Sequence, residues 1–232
     1  MQHRSVRELM TREVVTARPD TPFKEVAELF HRNDITAVPV IDDQDRPIGV
    51  VSEADLLRKE AVLPDPEDRH PGRWLRPAEQ ARAEAETAGG LMTSPVVTAR
   101  ASWDVGEAAR RMDRHRVKRL PVVDEAGRLI GIVSRADLLQ VFLRHDGAIR
   151  EEIVHEVLGR TLWLPPDTVS ATVQDGVVTL TGRLPRRSLL PVAERLCRAV
   201  DGVVAVHLSL DWTEDDTGTA FERPRAHRAG GR

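Results

Sequence analysis

The stretch Arg119–Leu139, RLPVVDEAGRLIGIVSRADLL, decides the fold, because Ala37–Leu57, AVPVIDDQDRPIGVVSEADLL, is an earlier copy of it. The motif glycines Gly131 and Gly49 set a shift of 82 residues, and the same shift lays VVTAR at Val96–Arg100 on VVTAR at Val14–Arg18 without a gap. Two copies of about fifty residues predict a pair of facing domains, since a solenoid needs about three or more units.

Each copy reads in the same order. Val6 to Met10 is a short helical lead-in and Val14 to Ala17 a β-prone run closed by Pro19. Phe23, Val26, Ala27 and Phe30 form one apolar face of a helix with Pro22 at its first turn. Val38–Ile41 and Ile48–Val51 then read as strands joined by the polar turn DDQDRP, and Ser52 opens a second helix. In the second copy Val105, Ala108, Ala109 and Met112 supply the helix face and Gly127 the turn. A small sheet covered by helices on one side leaves its other side open, so the copies are expected to bury those faces against each other around a pseudo-twofold axis. The segment between them, Leu63 to Gly90, carries a proline-punctuated loop and a helix-forming stretch, AEQARAEAETA, with Trp74 its one large aromatic. Trp74 is expected to dock on a domain or to face a partner.

After Phe142 the pattern changes. Ile149, Ile153, Val157 and Leu158 form a helical stripe, and VSATVQDGVVTLTGRL alternates around Asp175-Gly176, a strong hairpin signal. SLLPVAERLCRAV is amphipathic, and VVAVHLSL returns as a third strand. The tail from residue 213 is polar and expected to be disordered.

Duplicated hydrophobic-Pro-Val-hydrophobic followed by Gly-x-x-Ser-x-x-Asp resembles a tandem pair of CBS domains, over about Val6 to Phe142. The run DGVVTLTGRL, helix, AVDGVVAVHLSL is similar to a BON domain over about Ala148 to Trp212, with Gly182 at its characteristic glycine. The expected fold is α+β: two βαββα CBS repeats packed as a pseudo-twofold disc, plus a small αββαβ BON domain. The expected boundaries are 1–60 for the first repeat, 61–90 for an insertion, 91–145 for the second repeat, 146–212 for the BON domain and 213–232 for the tail.

The CBS resemblance implies a regulatory protein holding AMP, ADP, ATP or S-adenosylmethionine in the clefts between repeats. Asp55 and Asp137 suit a ribose diol, because an ionised carboxylate accepts hydrogen bonds from both hydroxyls. Ser52 and Ser134 stand at helix N-termini that attract a phosphate, and the glycine before each would let a ligand approach the backbone. Pro39 and Pro121 belong at a strand start or edge, leaving nearby backbone groups of Val38 and Leu120 free for a purine. Thr16 and Thr98 could line the purine slot or only favour a strand. The Ser-x-x-Asp pairs are equally explained as capping boxes.

The copies differ at one charged place: Thr36-Ala37 in the first is Lys118-Arg119 in the second, inside the basic run RRMDRHRVKR. Phosphates are therefore expected near Lys118 and Arg119, with Asp137 the ribose partner in that cleft and Asp55 serving a weaker one. The BON resemblance implies membrane-surface contact, for which this copy offers Arg183, Arg186 and Arg187, otherwise a solvated loop.

Net charge of −3 argues against a surface that tracks nucleic acid. No run reaches about 18 apolar residues and the start, MQHRSVRELM, lacks the apolar core of a secretory signal, so a cytoplasmic chain is expected. Cys197, the lone cysteine, lies among apolar residues at helical spacing and reads as a buried core thiol. His155 and His207 have no second ligand at metal spacing. No histidine in the repeated motif could activate its serine, so no catalytic residue is expected and the chain reads as a regulator rather than an enzyme. The alternative is an adaptor to a phospholipid surface or an unidentified protein through the BON domain, with the CBS pair purely structural. Leu138, Leu139, Val141, Phe142 and Leu143 make a nearly continuous apolar surface and predict a homodimer.

Overall fold

The structure is a computed structural model that describes residues 4–62, 81–82 and 84–218. The expectations for Trp74, the proline-rich loop and the tail beyond residue 218 lie outside the described residues, while residues 213–218 are ordered rather than disordered, the last strand running to Glu214 and the Ser188 N–H and hydroxyl donating to Asp216. The chain forms two compact units, one over Arg4–Leu138 and one from Leu139 onward.

In the first unit the elements are α1 (Val6–Leu9), α2 (Phe23–Asn33), β1 (Ala37–Ile41), β2 (Pro47–Ser52) and α3 (Glu53–Val62). They recur as α4 (Ala88–Leu91), α5 (Val105–His115), β4 (Arg119–Val123), β5 (Leu129–Ser134) and α6 (Arg135–Leu139), with the short β3 (Ala99–Arg100) between α4 and α5. Each recurring element starts 82 residues after its counterpart, and the strand registers repeat too. Ala37 stands opposite Ser52 and Arg119 opposite Ser134, and both hairpins slip after their fourth pair. The apolar faces read from the sequence are buried: Val26 and Phe30 on α2, Ala108 and Met112 on α5. Asp104 and Glu107 close a reciprocal capping box on α5, with the Asp104 carboxylate 2.7 Å from the Glu107 N–H.

The lead-in helices exchange. The N–H of Val6 on α1 donates to the Trp103 carbonyl of the second repeat (2.8 Å), and Thr11 and Ile132 exchange two backbone bonds of 2.9 Å. Reciprocally, Ala88 on α4 donates to Thr21 (2.8 Å), and Thr93 pairs with Val50. Val6 and Leu91 are fully buried as a result.

This exchange corrects the role expected for the motif glycines. A Cβ on Gly49 would lie 2.3 Å from the Met92 sulfur, and one on Gly131 would lie 2.6 Å from the Met10 sulfur and 3.0 Å from the Thr11 carbonyl. These glycines admit the partner repeat's lead-in, so the close approach that they permit is by protein rather than by ligand.

The second unit begins with a 3-10 turn (Gln140–Leu143), then α7 (Asp146–Glu152), which widens into a π-helical stretch over Ile153–Thr161. The expected stripe survives the change, with Ile149, Ile153, Val157 and Leu158 all buried. β6 (Val169–Gln174) and β7 (Val177–Arg186) form the hairpin, α7's Asp146 holding its turn through the N–H groups of Asp175 (2.7 Å) and Gly176 (2.9 Å). Both turn residues have positive φ, 50° and 73°, the conformation that a two-residue Asp-Gly hairpin turn requires. α8 (Leu189–Arg198) crosses over to β8 (Ala205–Glu214), which pairs with β7 in parallel, giving the order β6-β7-β8.

Cys197 is fully buried on α8, and burial pushes its thiol up to about 11. Very little thiolate then exists at neutral pH, so the native protein is expected to resist a thiol-reactive dye until denaturant is added. Rapid labelling at pH 7 without denaturant would contradict this placement.

Candidate functional site

The prolines at the centre of the repeated strands shape the site. Pro39 and Pro121 are third residues of β1 and β4, buried and inside the hairpin ladder rather than at a strand start, with the other side of each strand paired only beyond the proline. β1 lies between β2 and the strand-like residue Ala17, whose N–H donates to the Pro39 carbonyl (3.0 Å) and whose carbonyl accepts from Ile41 (3.0 Å). Pro39 has no N–H with which to continue that ladder back towards Val15, so the run Val14–Ala17 makes a single bridge instead of a strand. Thr16, and Thr98 in the second copy, sit half-buried where the ladder stops. The Val38 and Leu120 side chains are fully buried in the core, so these residues could offer a ligand only their backbone.

Both Ser-x-x-Asp pairs close on themselves. The Asp55 Oδ2 accepts from the Ser52 N–H (2.9 Å) and hydroxyl (2.6 Å), and the Asp137 Oδ2 accepts from the Ser134 N–H and hydroxyl, both at 2.7 Å. The capping geometry is therefore present in each repeat. Two differences distinguish them. Asp55 is 6% exposed and its Oδ1 receives the Arg58 guanidinium at 3.0 Å. Asp137 is half-buried, and among the described residues no side chain donates to its Oδ1. α6 is only five residues long, too short for its dipole to add much at Ser134, whereas α3 has ten.

Arg119 joins the repeats. It opens β4, is half-buried, and donates to the Thr36 hydroxyl of the first repeat. Burial lowers its guanidinium below its ordinary range, while the charges of Glu53 and then Asp137 oppose that shift. Thr36, Glu53, Arg119 and Asp137 thus share one neighbourhood built from both repeats. Lys118 is exposed, and its carbonyl accepts from the Arg135 N–H at the start of α6 (3.0 Å), as Thr36 does from Glu53 in the first copy (3.1 Å).

The sequence reading passed over Thr36 as a contact, and passed over Glu53 and Arg58 altogether. The shift of 82 carries the signal for the last two, since Glu53 aligns with Arg135 and Arg58 with Gln140, changes of charge on either side of the repeated ADLL.

In the second unit acidic residues lie beside the arginines. Arg183 and Arg186 stand opposite Asp211 and Glu214 in the β7–β8 register, and Arg187 pairs with Asp215 (2.6 Å) while stacking over Trp212. The Thr217 and Arg187 side chains hold the Asp215 carboxyl down at about 2, which keeps that pair ionised. His155 and His207 are exposed, and the described residues contain no cluster able to hold a metal ion. No helix among the described residues is long and apolar enough to cross a membrane.

The family model for the CBS domain matches residues 6–61 and 88–144, and that for the BON domain matches 145–214. An uncharacterised protein of Methanopyrus kandleri is 31% identical over 153 residues, covering 66% of this chain and 70% of that protein. The chloroplastic CBS domain-containing protein CBSX2 of Arabidopsis thaliana is 31% identical over 141 residues, covering 55% of this chain and 58% of that one. A crystal structure of CBSX2 in complex with AMP is similar with a TM-score of 0.50 and 33% identity, over 60% of this chain and 96% of that chain. The duplicated strand-helix order, the exchanged lead-ins and these matches lead to one conclusion: the chain belongs to the CBS-domain family, as a tandem CBS pair followed by a BON domain.

Proposed function

We propose that this chain is a regulatory protein, without catalytic activity of its own, whose CBS pair binds an adenosine-containing ligand in the cleft served by Arg119 and Asp137. The observation that carries this reading is their convergence across the repeats: a half-buried guanidinium reaching Thr36, beside a carboxylate with one oxygen unengaged. A nucleotide presents the complementary groups, phosphate oxygens that Arg can grip and a ribose diol that a carboxylate can accept from. The AMP complex of CBSX2 supports the same class of ligand. Lys118, exposed beside Arg119, adds positive charge for phosphates, and Thr98 with the backbone of Leu120 and Pro121 is assigned to the purine. The alternative adaptor role through the BON domain draws less support, because Arg187 is paired with Asp215 and Arg183 and Arg186 stand opposite Asp211 and Glu214.

A thermal-shift series with AMP, ADP, ATP, NAD and S-adenosylmethionine tests the reading. A ligand present at about a hundred times its Kd stabilises the folded state by about 2.7 kcal/mol, a rise of several degrees. No shift with any of the five sinks the reading, and liposome co-sedimentation without nucleotide dependence would favour the adaptor.

We further expect a homodimer. Leu138 and Val141 are buried within the chain, but Leu139, Phe142 and Leu143 remain 60%, 53% and 77% exposed, and a second copy would cover such side chains. Light scattering at micromolar concentration checks it: a mass of one chain rejects the dimer.

A further inference from the structure

The two Ser-x-x-Asp pairs share their serine contacts and differ in what holds the remaining carboxylate oxygen. In the first repeat Arg58 stands one helical turn after Asp55 on the ten-residue α3, the spacing at which side chains share a face, and its guanidinium reaches the Asp55 Oδ1 at 3.0 Å. The two side chains are 25% and 8% exposed, so the pair is screened from water on most sides. In the second repeat the matching residue is Gln140, and α6 ends at Leu139, where the chain tightens into a 3-10 turn. Nothing among the described residues stands to Asp137 as Arg58 stands to Asp55.

We propose that Arg58 is a built-in occupant of the first repeat's carboxylate, closing that position to a ribose, so that the chain takes one nucleotide where its duplicated motif suggests two. A diol approaching Asp55 has to share or displace a charge-assisted bond from a guanidinium tethered one turn away. Losing such a bond in a partly buried site weakens binding by about tenfold or more. The repeats are therefore unequal because one carries its own cation, a difference separate from the Lys118-Arg119 pair. This inference rests on the adenosine reading above, and the experiment separates the two.

The full chain is titrated calorimetrically with AMP, alongside Arg58→Gln, which places in the first repeat the residue that the second repeat has. The parent is expected to bind one AMP per chain and Arg58→Gln two, the double variant Asp55→Asn/Arg58→Gln returning to one. Arg58→Met keeps the aliphatic stem along α3 and gives the same second site should glutamine disturb folding, which circular dichroism reports. Two equal sites in the parent overturn the proposal, as does a single site in both folded Arg58 variants. A chain that binds none of AMP, ADP, ATP, NAD and S-adenosylmethionine with or without Arg58 overturns the adenosine reading itself, and the exclusion falls with it.

Discussion

Gly182→Ala is expected to remove about 4 kcal/mol or more from the stability of the second unit, most of what a domain of that size possesses. Gly182 sits on β7 with φ of 133°, where an L side chain is strained by about 1–3 kcal/mol on conformation alone. A Cβ there would also lie 2.2 Å from the Thr168 carbonyl oxygen and 3.0 Å from the Val169 Cα, both backbone atoms. Neither can step aside cheaply: Thr168 O accepts the Arg183 N–H (2.9 Å), and Val169 is paired with Gly182 at the start of β6. Relief would require breaking the β6–β7 ladder over the buried Ala171, Val178 and Leu180. Urea unfolding followed by circular dichroism measures the loss. A change below about 1 kcal/mol would contradict the backbone placement.

The second large effect concerns the proposed nucleotide cleft, and it separates the two groups assigned there. Arg119→Ala is expected to weaken ATP by about tenfold or more, on the order of 1.5–3 kcal/mol, while leaving adenosine nearly unaffected, because only phosphate oxygens need the guanidinium. Asp137→Asn is expected to weaken adenosine, AMP and ATP alike, since the diol is common to all three. The difference between the two carboxylates matters here: Asp137 keeps its Ser134 bonds through Oδ2 and offers Oδ1, whereas Asp55 has both oxygens engaged. Isothermal titration of the three ligands against the two variants distinguishes the roles. If Arg119→Ala binds ATP like the parent while Asp55→Ala abolishes binding, the asymmetry between repeats runs the other way.

Much of the site was legible because duplication turns one sequence into a comparison. Subtracting 82 exposed Lys118-Arg119 against Thr36-Ala37, and the structure sets Arg119 at Thr36 with Glu53 and Asp137 near. The same subtraction held the Arg58/Gln140 difference in plain view, yet that difference acquires meaning only with the distance to Asp55, since an arginine on a helix is ordinarily a solvated charge. Gly49 and Gly131 were misread for a related reason. A conformationally free residue beside a serine suits a close-lying ligand, and nothing local indicates that Met92 and Met10 fill the space. The prolines lie inside their strands rather than at a start, and on the side of β1 where Pro39 has no N–H the added ladder stops at the single bridge of Ala17.

The sequence by itself determined the elements of this protein: the repeated strand-helix order, the apolar faces of α2, α5 and α8, the Asp175-Gly176 hairpin and the two capped Ser-x-x-Asp turns. These follow from periodicity and turn chemistry acting within about a dozen residues, where neighbours in sequence are neighbours in space. Tertiary structure alone decided that α1 packs on the second repeat and α4 on the first, that the motif glycines lie beneath methionines, and that one of two matching carboxylates is held by an arginine while the other is open. Two repeats of the same pattern offer a lead-in helix two similar surfaces. Which of them it covers depends on long-range packing and chain connection, and the local pattern is the same either way.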